Sequence, residues 1–275
     1  MTLLESSGLL TPTETYHGER RKIPPQAAGT LIAVAALLSS GCMMKQKQMN
    51  AGTFEGPPTV VCQGEARTFI TLDDGKPVTL GILLSEAALN GLPADGHDVA
   101  YELELPREAR GTGYTHVVVD WNPHGHVPPG VYDRPHFDFH FYTMTSEKRQ
   151  TITAVGDDLA RAHKAPPAEY MPAGYILPPG TEVPAMGAHA IDPKGYEFTK
   201  HDFTKTFIYG FYDGEMVFVE PMVTKAYLES KPNDQVAIAV PQKYPQCGYY
   251  PTSYGVVYDK GERAYEISLD GLVLR

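Results

Sequence analysis

The segment His136-Phe137-Asp138-Phe139-His140-Phe141-Tyr142 constrains the fold more than any other stretch of the chain. Side chains alternate across a β-strand, so His136, Asp138, His140 and Tyr142 share one face and the three phenylalanines share the other. An exposed row of three Phe rings would be an aggregation edge, so that face is predicted to pack in a core. The opposite face then presents two imidazoles and a carboxylate at steps of about 7 Å.

The rest of the chain reads as short strands separated by turn signals. Strands are predicted over 59–63, 66–73, 76–84, 99–105, 115–121, 204–212, 215–220, 236–240, 254–258 and 264–269. Asp213-Gly214 is the strongest hairpin signal. Short helices are expected over 85–89, 157–163 and 223–229, and a long ordered loop with six prolines over 165–184. Seventeen Tyr and ten Phe against one Trp suit strands, and 26 Gly with 24 Pro supply turns without any repeat. The expected class is mainly β, an antiparallel sandwich or barrel with a few short helices.

The N-terminus reads as an address. Glu19-Arg20-Arg21-Lys22 is a basic cluster, and 27–38 is an uncharged apolar segment. That segment is too short to span a bilayer but matches a signal h-region. It ends in Leu37-Leu38-Ser39-Ser40-Gly41-Cys42, small residues directly before a cysteine, as in a bacterial lipobox. Residues 1–42 are therefore expected to be a lipoprotein signal with Cys42 as the lipidated residue. Residues 43–58 are then a flexible tether and 59–275 a single β-rich domain. Cleavage removes three bases (Arg20, Arg21, Lys22) and three acids (Glu5, Glu14, Glu19), so the net charge of −10 is unchanged. The expected partner is a membrane, through the lipid anchor, in an extracytoplasmic compartment. Self-association stays open. An oxidising compartment permits Cys62 and Cys247 to pair, and two free thiols are the alternative.

Several functions are excluded or unsupported. An acidic chain without a basic cluster in its mature part is a poor nucleic-acid binder. There is no Gly-x-Ser-x-Gly, no glycine-rich phosphate loop, and no His near either cysteine in sequence.

Histidine is the informative residue, since six of the ten fall between 97 and 140. His124 and His126 form a second i, i+2 pair, with Gly125 between them and a Pro128-Pro129-Gly130 turn after them. The two pairs can face each other across adjacent strands. Neutral imidazole is the common ligand for Zn, Cu, Fe and Ni, and three or four N/O ligands suffice. The candidate ligands are His124, His126, His136 and His140, with His189 and Glu220 as later additions and Asp138 and Tyr142 as residues supporting them. The ion is a divalent transition metal (Zn, Fe, Mn, Ni or Cu). The alternatives are a polar network of His, Asp and Tyr with no metal, or exposed and unrelated histidines.

Several strings carry a resemblance: His124–Pro129, the segment from Pro135 to Tyr142, Met186-Gly187-Ala188-His189, and Phe207-Ile-Tyr-Gly-Phe-Tyr-Asp-Gly with Glu220-Pro-Met222. Over about 62–230 they resemble an uncharacterised family of exported bacterial proteins of unknown function, named after a Thermus protein. The resemblance implies a β-rich exported domain and no established activity. A weaker one is to cupins: His124-Gly-His126 is similar to their first motif, though without its Glu. Pro184-Ala-Met-Gly187-Ala-His189 is similar to the second, with one extra residue. It implies a cupin-like fold and a metal-dependent enzyme acting on a small oxygenated substrate. Three readings follow: a metal-binding envelope lipoprotein, such an enzyme, or a structural or interaction protein with a buried His/Asp/Tyr network.

Overall fold

The computed structural model describes residues 51–275 apart from 97. The expected signal, Cys42 and the first part of the expected tether lie outside the described residues.

The chain first builds strands β1 (Gly52–Glu55), β2 (Thr59–Val61), β3 (Gly64–Asp73) and β4 (Lys76–Ser85). It then lays down β5 (Val99–Glu104), β6 (His116–Asn122), β7 (His136–Tyr142), β8 (Glu182–Val183), β9 (Gly187–Ala190), β10 (Lys205–Tyr212) and β11 (Glu215–Thr224). Next come β12 (Asn233–Ala237), β13 (Tyr249–Tyr250), β14 (Ser253–Asp259), β15 (Ala264–Asp270) and β16 (Val273–Leu274). One seven-stranded sheet runs β1-β3-β4-β15-β14-β12 with β2 on β3, and a second runs β5-β6-β7-β11-β10-β9-β8. β13 and β16 form a separate pair. All pairings are antiparallel, and the sheets curl into a half-barrel. The chain completes the whole second sheet before returning to the first. A jelly roll of the cupin kind would instead cross between sheets through Greek-key connections.

One core joins both sheets. Ile70, Leu80, Ile82 and Ile267 from the first meet Val119, Phe137, Phe139 and Phe141 from the second. The Phe face of β7 is thus packed as the alternation requires. The turn residues explain the hairpins: Asp213 (φ 52°) and Gly214 (φ 80°) both take the left-handed conformation that a two-residue hairpin turn needs.

Two expectations are corrected. The tether expected over 43–58 overlaps a strand, because Gly52–Glu55 pair with β3. Thr53 Oγ1 lies 2.9 Å from Thr71 Oγ1, and Phe54 packs against the core. The expected Cys62–Cys247 disulfide is absent, and both cysteines are free. Cys62 occupies the tight turn between β2 and β3, where its Sγ lies 3.4 Å from the Tyr101 hydroxyl. Cys247 is exposed in the loop before β13, beside Gly113 of the β5–β6 connection.

Phe139 sits fully buried behind the polar face of β7. Phe139→Ala is expected to cost about 3–5 kcal/mol in urea unfolding, from lost burial plus a cavity. Val60→Ala, at a side chain 75% exposed, should stay within about 0.5 kcal/mol.

Candidate metal centre

Every residue of β6 and β7 is buried, so the polar face of β7 is covered as fully as the apolar one. Register decides what meets there. On one side Asn122, Asp120, Val118 and His116 stand opposite His136, Asp138, His140 and Tyr142. On the other side Thr224, Met222 and Phe218 stand opposite His136, Asp138 and Tyr142. The unchanged register sets Glu220 opposite His140. Beside it Pro221, which has no N–H to give, interrupts the ladder.

His189 arrives from further across the sheet. It pairs with Gly210 of β10, which in turn pairs with Phe218 of β11. A Cβ on Gly210 would lie 2.0 Å from the Phe218 ring, so only glycine lets that ring lie over β10. There the ring centroid is 4.8 Å from His140 and 5.1 Å from His189. Small apolar clusters close the two ends of the face. Tyr142, Phe218, Met144 and Ile152 lie at one end, and Tyr132, Phe203, Ile208 and Met222 at the other.

Between those clusters the polar side chains form two groups. In the first, His126 Nε2 lies 3.2 Å from Asp138 Oδ2, and His136 Nε2 lies 3.1 Å from Asp138 Oδ1. His126 Nδ1 is 2.8 Å from the Val127 carbonyl and His136 Nδ1 is 2.6 Å from the Arg134 carbonyl. A carbonyl only accepts, so each Nδ1 carries the proton and each Nε2 has a free lone pair when the ring is neutral. Asn122 Nδ2 donates to Asp138 Oδ2 at 2.7 Å. His126 comes from the loop after β6. Gly125, at φ 70°, bends that loop so closely that a Cβ there would lie 1.9 Å from the Tyr132 carbonyl oxygen.

In the second group, His140 Nε2 lies 3.5 Å from Glu220 Oε1 and His189 Nε2 lies 3.8 Å from Glu220 Oε2. His189 Nδ1 donates to the Thr181 carbonyl at 2.8 Å, and His140 Nδ1 stands 2.9 Å from Asp120 Oδ2. The Thr181 carbonyl places the His189 proton on Nδ1, whereas His140 faces a carboxylate on each side, Asp120 at Nδ1 and Glu220 at Nε2. In each group three ligand atoms lie within 4.8 Å of one another, a geometry that can hold a metal ion.

The charges follow from this crowding. Burial alone would lower His126, but the hydrogen bond and charge of Asp138 raise it to about 9. His140 is likewise depressed by burial yet raised to about 9 by Glu220 and Asp120. Burial pushes Glu220 up to about 8 against the pull of His140. His189 falls to about 4 through burial and the neighbouring charge of His140. Burial would raise Asp138, but His136 and His126 hold it well below the usual carboxylate range.

The expected single cluster of four histidines is corrected to two groups of three. His124 joins neither: it is exposed, because the chain after Asn122 turns and the same-face rule for strands does not reach it. Asp138 moves from a supporting residue to a member of the first group. Tyr142 stacks on His140 at 5.7 Å and on His116 at 4.9 Å rather than bonding to either. The sequence reading missed Asp120 and Asn122. Asp120 lies inside the strand expected over 115–121, on the same face as Val118, and Asn122 one residue beyond it, where the strand in fact continues.

Gly210→Ala is expected to destabilise the protein by about 1–3 kcal/mol, because the Phe218 ring must leave its place between the two histidines. In thermal melting, Gly210→Ala combined with Phe218→Leu should lose less than the sum of the single changes. Additive losses would show that the ring contact is not the cause.

A family model described as TTHB210-like, hypothetical protein TTHB210, matches residues 73–121. The match runs from the end of β3 to Trp121, including Asp120 and stopping before β7, and so covers less than the resemblance read from 62–230. No curated protein and no solved structure matches the chain. Over 73–121, then, the chain is similar to the TTHB210-like family.

Proposed function

We propose that the chain is a lipoprotein of the bacterial cell envelope that binds a divalent transition metal through His140, His189 and Glu220. One observation carries the metal reading. His189 Nδ1 donates to the Thr181 carbonyl, His140 Nδ1 faces the Asp120 carboxylate at 2.9 Å, and both Nε2 atoms face the Glu220 carboxylate, where His140 Nε2 and Glu220 Oε2 lack hydrogen-bond partners. Imidazole lone pairs that face a carboxylate in a buried site call for positive charge between them, which protons supply in the metal-free protein and a metal ion can replace. The separations of 3.5 and 3.8 Å leave room for one, since ligand bonds of about 2.0–2.1 Å around a tetrahedral ion set ligand atoms about 3.3 Å apart. A carboxylate behind a ligating imidazole, as Asp120 stands behind His140, fixes the ring and raises its basicity. Mixed imidazole and carboxylate ligands favour Zn, Fe, Mn, Ni or Cu over Mg or Ca. Three protein ligands leave a coordination position free for water or a substrate oxygen.

The envelope location is supported by the basic cluster at 19–22, the apolar segment at 27–38 and the small residues before Cys42.

Protein purified without an affinity tag is expected to contain a transition metal by elemental analysis. His140→Ala and His189→Ala should each lower the content by one ion per chain, and His124→Ala and His163→Ala should leave it unchanged. Metal affinity should fall steadily as the pH is lowered from about 9 through 8 and below, because His140 and Glu220 then take up protons that compete with the ion. A protein that takes up no metal at neutral pH has protons in these positions instead, and the metal reading fails.

For the anchor, Cys42→Ser is expected to move the protein from the membrane to the soluble fraction of a bacterial host. An unchanged distribution, with residues 1–41 still attached by mass, rejects the lipoprotein reading.

A further inference from the structure

We propose that the chain holds two metal ions, the second at His126, His136 and Asp138, in a site separate from the first. This rests on the metal reading above and adds a second ion to it. The two groups share no ligand atom. Asp138 turns one oxygen to His136 and the other to His126, while Glu220 turns one to His140 and the other to His189. Each group therefore offers its own two imidazole nitrogens and its own carboxylate.

The second group has the same unmet need as the first. His136 Nε2 and Asp138 Oδ1 face each other at 3.1 Å, both are buried, and neither has a hydrogen-bond partner. With Nδ1 held by the Arg134 and Val127 carbonyls, each neutral ring has only a lone pair to turn toward Asp138, and His126 reaches Asp138 Oδ2 with a hydrogen bond only when its Nε2 is protonated. An ion held by Glu220 leaves this mismatch untouched. Charge allows the second ion. Asp120, Asp138 and Glu220 place three carboxylates on one buried sheet face; an ion at Glu220 offsets two charges, and the third is met at Asp138 either by a proton on His126 or by a second ion in its place. The two sites also differ in access. His126 sits on a loop with its side chain 32% exposed, whereas His140 and Glu220 are almost fully enclosed. The His126 site is thus the faster to exchange with solvent.

The test is stoichiometry on the full chain. Metal is stripped by a chelator, folding is checked by thermal melting, and Zn2+ is titrated in by calorimetry. Elemental analysis after desalting gives an independent count. Two ions per chain are expected, falling to one for His126→Gln, one for His189→Gln and none for the double variant. His126→Gln changes a half-exposed loop residue and leaves both core faces intact. Asp138→Asn, a near-isosteric change that keeps a polar group beside Asn122, should also leave one. In a Zn2+ competition with a colorimetric chelator, the ion lost in His126→Gln should be the one that leaves first from the unaltered chain. One ion per chain, retained in His126→Gln, overturns the second site and leaves the Glu220 site standing. A single ion in the unaltered chain that is absent from both single variants shows one shared site and also overturns it. No ion at all removes both readings.

Discussion

A strand buried on both faces can carry imidazoles and carboxylates only if each polar atom finds a partner, and β7 sets that condition for the whole molecule. Phe137, Phe139 and Phe141 fix one side of the strand in the core shared by both sheets. That leaves His136, Asp138 and His140 no choice of direction. The neighbouring strands then answer the strand's chemistry. β6 brings Asp120 and Asn122, β11 brings Glu220, and the loop after β6 brings His126 back over the face. The backbone carbonyls of Arg134, Val127 and Thr181 complete the pattern by fixing three Nδ1 protons.

What those contacts leave over is an excess of acceptors. In the metal-free protein, protons can fill the gap: His126 and His140 hold theirs to about pH 9, and Glu220 stays protonated to about 8. A divalent ion fills the same gap without forcing Glu220 to be neutral. The two solutions use the same atoms, so the titration of the groups and the uptake of metal are linked. A metal ion must displace protons to enter, and affinity falls as those protons become harder to remove.

How much of this was legible in the sequence depended on the local rule each residue obeys. The alternation in 136–142 is a strong period-2 signal, and it placed His136, Asp138 and His140 on one face. The His124–His126 spacing looks the same, but Gly125 takes φ 70° and the segment is a turn, so the spacing carries no shared face. The strand holding His189 is Gly-Ala-His-Ala, weak strand formers, and it exists because Gly210 offers a pairing partner. The strand expected over 215–220 ends before Pro221. The chain instead continues to Thr224 in the same register. Two cysteines in a chain expected to be exported made a disulfide admissible, but nothing local in the sequence fixes their distance in space.

The polar face has a cost, and that cost bears on its purpose. Buried ion pairs are often no more stabilising than apolar side chains of the same volume, because removing charges from water offsets their attraction. The same sheet face shows the apolar alternative at both ends. Val118 and Phe218 pack into one small cluster, and Ile208 and Met222 into the other. The fold can therefore place hydrocarbon in this layer even directly beside the polar groups, since Val118 stands opposite His140, Met222 opposite Asp138 and Ile208 opposite Glu220. Between the clusters it instead keeps four histidines whose lone pairs converge on two carboxylates. Stability alone does not call for that arrangement; what it provides is two groups of three ligand atoms, each within 4.8 Å of one another, a geometry that can hold a metal ion.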